Sequence, residues 1–302
     1  MTAALALGTY RVRDVQKAAR MAVEAGTPWI DTAPNYSDGQ ALHDLGSVLR
    51  ESPSAPLVAT KTGFFTRGQG RVALGRGVLT EHDVSAGHCL DPTFVGYQVE
   101  EALDLLGHVD LVFVHNPERA GRGVERAVMH WRLREAFTAL EDQAQEGNIL
   151  GYGVATWSGL REGAFSVPEL LALSREAAGS SDHHLIAVQM PVSLIDDTPI
   201  TQALGGGGPL VQAKDAGLIT FGSAPLHGGE LLDAMTPELV DLICPGLSAG
   251  AAGVLAAASC PALDFVLVST TRRDHWDDAA KALASPLAAE QLRRVTDELA
   301  TG

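Results

Sequence analysis

A chain of 302 residues that is 46% hydrophobic and 20% charged carries enough apolar material for one large core. Its 37 acidic against 22 basic residues give a net charge of −15, which argues against nucleic acid or an anionic membrane as partner. The three cysteines, Cys89, Cys244 and Cys260, are scattered without metal-type spacing, so reduced thiols are expected. No apolar run reaches transmembrane length, and the start lacks the basic-then-apolar order of a secretory leader. A cytoplasmic protein is the expectation.

Short apolar runs alternate with longer amphipathic ones. Residues 4–8 read as a strand, 14–25 as a helix, 28–31 as a strand, 41–50 as a helix and 56–61 as a strand. A Gly- and Arg-rich connection fills 62–91 and reads as a mobile or functional loop, as does the stretch holding Gly205 to Gly208. Beyond the first of these come helix 92–106, strand 109–115, helix 124–146, strand 149–156, helix 167–177 and strand 185–190. Helix 209–216, strand 218–222, helix 249–259, strand 265–269 and helix 274–283 close the series, and 288–299 reads as an added helix.

About eight strand–helix units in one chain of this length predict a single α/β domain, a (β/α)8 barrel spanning residues 1–302. An open doubly wound sheet is the rival, but no Gly-x-Gly-x-x-Gly turn follows an early strand.

Three of the strands deliver an ionisable side chain at their downstream ends: Asp31, Lys61 and His115. Tyr36 follows Asp31 by five residues. The carboxyl ends of barrel strands open on one face, so these four are expected to converge. Only four of the 22 basic residues are lysines, Lys17, Lys61, Lys214 and Lys281, and Lys61 alone ends an apolar strand. Buried there, its charge needs a partner, for which Asp31 is suited. A nearby ammonium favours a phenolate, so Lys61 is expected to lower the pKa of Tyr36 and make it a general acid. His115 would orient a carbonyl. Singly, each residue has an ordinary structural explanation: a helix cap, a snorkelling lysine, a core histidine. No metal set stands out, and no Gly-x-Ser-x-Gly elbow marks a hydrolase.

The segments AVEAGTPWIDTAPNYSDGQALHDLG, LVATKTGF and HCLDPTFVGYQVEEALDLLGHVDLVFVHNPE resemble the aldo-keto reductase family in order and spacing, as do VQMPVSLID, LITFGSAPLHGGEL and FVLVSTTRRDHWDDA. The His-Asn-Pro-Glu ending is most similar to members related to galactose and other sugar dehydrogenases. The resemblance implies a barrel without a Rossmann domain, NADPH laid across the strand ends, and hydride transfer to a small aldehyde, ketone or sugar. It implies catalytic roles for Asp31, Tyr36, Lys61 and His115, no metal, and a nicotinamide contact from Gln189. Ser223, Leu226 and Thr156 fall at further cofactor positions. The run Ser269, Thr270, Arg272 and Arg273 matches the adenosine-phosphate turn, at a helix start that favours anions. A solvated helix start explains the two arginines equally well.

The chain departs from the family pattern where Ala155 and Thr156 replace a Ser-Asn pair, Ser223 replaces a stacking Tyr, Ser269 replaces a Gly, and Ala41 and Leu42 replace Ser-Glu. The proton-transfer residues are intact while cofactor contacts are altered. An NADPH-dependent carbonyl reductase is therefore the leading expectation. The alternatives are a redox-neutral isomerase, epimerase or lyase using the same acid–base residues, and a non-catalytic nucleotide-binding subunit.

Overall fold

Each apolar run of four to seven residues is long enough to cross a sheet once, and the intervening amphipathic runs bring the chain back. The computed structural model describes residues 2–52 and 56–301. Its strands are β1 (Ala4–Gly8), β2 (Trp29–Asp31), β3 (Leu57–Thr62), β4 (Leu111–His115), β5 (Gly151–Ala155), β6 (Leu185–Pro191), β7 (Ile219–Ser223) and β8 (Phe265–Val268). They pair in parallel in chain order and close into a barrel, β1 meeting β8 with Ala4 opposite Phe265 and Leu7 opposite Val268. The chain is a (β/α)8 barrel.

Parallel neighbours require a crossover, and local sequence sets where each helix begins. Asp14 accepts the Lys17 backbone N–H at 2.9 Å and starts helix Val15–Glu24, which buries Val15, Ala18, Ala19 and Ala22 at helical spacing. Asp91 caps helix Pro92–Leu106, Pro92 occupies its first turn, and Gly107 ends it in the left-handed conformation.

Residues 62–91 form an ordered element, not the open loop expected. They hold helices Arg67–Gly75 and Glu81–Ala86, each opened by a reciprocal capping box, Thr66 with Gln69 and Thr80 with Asp83. Phe65, Ala73, Leu79, Cys89 and Phe94 form a small apolar cluster beneath them. The expected loop around Gly205 to Gly208 is only a short turn between helices Thr198–Leu204 and Gly208–Asp215. The added C-terminal helix, Ala289–Thr301, buries Leu292 and Val295 and packs on helices Thr198–Leu204 and Pro237–Ile243.

Strand side chains alternate between barrel interior and helix layer. Ala6, Trp29, Ala59, Leu111, Phe113, Ala187, Phe221 and Leu267 fill the interior as a cluster separate from the core beneath the helices. Trp29 and Phe113 each meet Phe221 edge-on, at 5.5 and 5.6 Å. Gly153 leaves them room: a Cβ there would lie 2.5 Å from the Ala187 carbonyl oxygen and 2.7 Å from the Phe113 ring. Gly153→Ala is expected to destabilise the fold by about 1–3 kcal/mol through overpacking. Gly96→Ala, on a helix with open space around the new methyl, is the control. If the Gly153 variant melts no lower than the Gly96 variant, the packing argument is wrong.

Candidate active site

The alternation that fills the barrel also builds its mouth. Two residues beyond interior Trp29, Ala59, Phe113, Ala187, Phe221 and Leu267 come Asp31, Lys61, His115, Gln189, Ser223 and Ser269. Period two places all six on the inward row at the carboxyl ends of the strands. Gly8 holds the β1 position in that row, where a Cβ would come within 3.2 Å of the Ser269 Oγ.

At the centre is a buried ion pair. The Lys61 ammonium donates to Asp31 Oδ1 at 2.7 Å, to Asp31 Oδ2 at 2.6 Å and to the Thr32 carbonyl at 3.0 Å. The two side chains are 1% and 4% exposed. An ammonium has three N–H groups, and all three are used. Gln189 reaches across from β6 and donates its amide N–H to Asp31 Oδ1 at 2.9 Å.

Tyr36 opens the short turn Tyr36–Gly39 after β2. Its ring lies over the Lys61 Nζ, 5.0 Å from the centroid, with His115 edge-on at 6.0 Å and Tyr10 at 5.1 Å. Sequence-predicted Asp31, Tyr36, Lys61 and His115 therefore do come together.

The expected electrostatics do not hold. Burial pushes the Tyr36 hydroxyl well above its ordinary pKa, and the nearby Asp31 carboxylate and Tyr10 push the same way. Lys61 cannot reverse this, because Asp31 neutralises its charge and its hydrogens are spent. Burial lowers the Lys61 pKa itself, opposed by Asp31. His115 is held neutral well below the usual histidine range, by burial first and then by Lys61 and His88. Its Nδ1 is buried without a hydrogen-bond partner among the described residues, which leaves Nε2 to meet a ligand.

The expected cofactor residues divide. Gln189 and Ser223 belong to the mouth, and Gln189 keeps its amide oxygen free of the Asp31 bond. Thr156 is buried one residue past the inward row; its hydroxyl accepts the Gly159 N–H at 2.8 Å, and it lines an off-axis cavity of about 220 Å³ with Trp157 and Met190. Leu226 packs against helix Ala249–Ala258, so closely that a Cβ at Gly253 would meet it at 2.8 Å.

Thr270 accepts the Arg272 backbone N–H at 3.1 Å. Arg272 and Arg273 lie away from the tetrad, where they line an open depression of about 700 Å³ together with Lys17. Each is engaged on its own helix: Arg272 with both Asp274 oxygens, Arg273 with Asp277 at 2.8 Å. Arg272 at the start of helix Arg273–Leu283 makes no side-chain cap bond, and Asp274 takes the His275 N–H, so part of the first turn stays open to an anion.

Three aromatic residues flank the tetrad, of which Tyr10 and Phe64 escaped the sequence reading. Tyr10, 51% exposed, stands beside Tyr36. Phe64 meets His115 at 4.9 Å, and Trp157 meets His227 across the mouth at 5.5 Å. All three aromatic residues follow a strand's carboxyl end by one or two positions, a signal available in the sequence.

Fold and site together define a barrel enzyme architecture with a Tyr–Lys–Asp–His mouth. The profile of the Aldo/keto reductase family matches residues 2–237, and the chain belongs to that family of oxidoreductases. It is similar to the pyridoxal 4-dehydrogenase of Microbacterium luteolum, 25% identical over 156 residues that cover 46% of this chain and 45% of that protein. The chain thus matches a little under half the length of that relative. The glycerol dehydrogenase AKR11B4 of Gluconobacter oxydans superposes with a TM-score of 0.70 at 19% identity, over 98% of this chain and 91% of that one. An aldo-keto reductase of Klebsiella pneumoniae, solved in complex with NADPH, gives 0.65 at 18%, over 98% and 90%. At these identities both structures share the fold with this chain.

Removing Lys61 leaves a buried, unpaired Asp31. Lys61→Met is expected to cost about 3–5 kcal/mol of stability, and Asp31→Asn together with Lys61→Met to recover most of it. Denaturant unfolding of both variants checks this; a double variant as unstable as the single one would refute the pairing argument.

Proposed function

We propose that the protein is a nicotinamide-dependent oxidoreductase that interconverts a small carbonyl compound and its alcohol, with Tyr36 as the proton donor in reduction and NADPH as the preferred cofactor. The observation that carries this reading is the Tyr36 ring seated over the spent Asp31–Lys61 pair with the neutral His115 opposite. The family membership supports it, as do the NADPH of the Klebsiella relative and the dehydrogenase names of the other two.

The mouth fits a nicotinamide. Gln189 is held by Asp31 and offers its amide oxygen to a carboxamide N–H, while Ser223 adds a hydroxyl in place of a ring. The open N-terminus of helix Arg273–Leu283 suits a phosphate, and Arg272 and Arg273 can exchange their exposed carboxylate partners for one. When bound, the cofactor supplies the hydride.

The chain's own residues handle the oxygen. A neutral His115 donates Nε2–H to the carbonyl oxygen and holds it near the Tyr36 hydroxyl. As hydride reaches the carbonyl carbon, the C=O π pair moves to oxygen and takes the Tyr36 proton, giving the alcohol. The Lys61 ammonium beneath the ring then faces the developing phenolate, with much of its charge offset by Asp31. Asp31 keeps Lys61 in place.

Tyr36→Phe should lower reduction by roughly 10²–10⁴-fold without changing the melting temperature. A rate equal to wild type on the best substrate removes Tyr36 from the mechanism. Because the Tyr36 pKa is raised, the protonated form persists from neutral to mildly alkaline pH, so reduction should be flat there. Alcohol oxidation needs the deprotonated form and should climb with pH across the same range. An oxidation rate that levels off near neutrality would contradict this assignment.

Titration of the purified protein with NADPH and with NADH, followed by fluorescence quenching, tests the cofactor. Tighter NADPH binding that Arg272→Ala or Arg273→Ala weakens supports the reading. No binding of either by folded protein would favour redox-neutral proton transfer by the same residues.

A further inference from the structure

We infer that His88 is a positioning residue for His115, holding the backbone at the end of β4 so that the His115 ring stays at the mouth. This rests on the role given to His115 above.

Among the described residues the buried Nδ1 of His115 finds no hydrogen-bond partner, so no bond at that nitrogen fixes the ring. Its placement therefore depends on packing and on its backbone. That backbone pairs with Ala155 of β5 on one side but is short of a strand neighbour on the other. The β3–β4 ladder ends with Thr62 opposite Val114, one residue before His115. At Gly63 the chain turns with φ +117° and sends its N–H to Gln98 Oε1 at 2.7 Å. The His88 ring fills the gap, its Nε2 2.9 Å from the His115 carbonyl oxygen.

A carbonyl only accepts, so His88 is the tautomer with hydrogen on Nε2. Burial lowers its pKa to about 4, which keeps the ring neutral.

Several features serve this contact. A Cβ at Gly63 would lie 2.8 Å from His88 Nε2, so the approach requires glycine for space as well as for its φ. The backbone of His88 is tied to the same turn by the Phe64–His88 bridge and by the Cys89 N–H to the Gly63 carbonyl at 3.0 Å. The Phe64 ring meets His88 at 4.6 Å and His115 at 4.9 Å, both edge-on, and Arg119 lies 5.2 Å from its centroid. Phe64 is thus wedged against both imidazoles, and removing His88 loosens the carbonyl and the wedge together.

The test compares His88→Gln, whose amide N–H reaches about as far as Nε2–H, with His88→Leu, which cannot donate. In ligand-free protein the ¹⁵N-imidazole signals of His115, assigned by their loss in His115→Asn, should be unchanged in His88→Gln and displaced in His88→Leu. In turnover, His88→Leu should lose roughly 10- to 100-fold in kcat with KM little changed, and His88→Gln should recover most of it. If His88→Leu fails to fold, His88→Asn, too short to reach the carbonyl, replaces it. Wild-type His115 signals and kcat in a folded His88→Leu or His88→Asn would overturn the inference. Full activity of His115→Asn would instead overturn the role of His115, while the imidazole signals still decide whether His88 positions it.

Discussion

The mouth of this barrel is organised by one buried carboxylate. Asp31 accepts two N–H groups from Lys61 on the neighbouring strand and one from Gln189 on β6. Burying either charge alone would be prohibitive, and the pair is tolerable because every ammonium hydrogen finds an oxygen. The geometry follows from adjacency: β2 and β3 run in register with Asp31 opposite Ala59, and Lys61 lies two residues further on the same inward row. A bond from β6 then ties the far wall of the barrel to the same carboxylate. A lysine held so completely is a fixed charge, not a proton carrier, and Tyr36 is placed above it as a neutral phenol. The ammonium beneath that ring is matched throughout by the Asp31 carboxylate.

Much of this was legible in the sequence. Alternation of apolar runs with helical segments implied the barrel, and the polar residues directly ending those runs named Asp31, Lys61 and His115. What the sequence could not express was competition for hydrogens. Lysine near tyrosine suggests an acidified phenol, but the outcome depends on whether the ammonium is already saturated, which is a matter of ångströms. The stretch 62–91 was missed for a different reason. Its helices are short and their apolar faces cover only a satellite cluster, so no periodicity rises above the glycines and arginines. The capping signals at Thr66 and Thr80 were nevertheless in plain view, whereas His88 ends no strand and carried no such signal.

Parity explains the mixed fate of the cofactor positions. Gln189 and Ser223 share the inward row with the tetrad, whereas Thr156 lies one residue out of phase with Ala155 and turns its hydroxyl to its own loop. The partners of the two arginines were also readable, since Asp274 and Asp277 follow at two and four residues.

The mouth and the depression near Arg272 and Arg273 thus differ in kind. At the mouth, each polar contact of Asp31 and Lys61 is dry, internally satisfied and costly to disturb, so the geometry of the pair is set before any ligand arrives. At the depression near Arg272 and Arg273 the ion pairs are exposed, and exposed pairs contribute little and are screened by salt. Exchanging such a partner for another anion gives up almost nothing, although both arginines are occupied. It also limits how much discrimination those arginines supply, because the attraction is diluted by the same carboxylates and the same water. On this physical division, the contacts at the rim are weak and adjustable, and those of the buried Asp31–Lys61 pair are not.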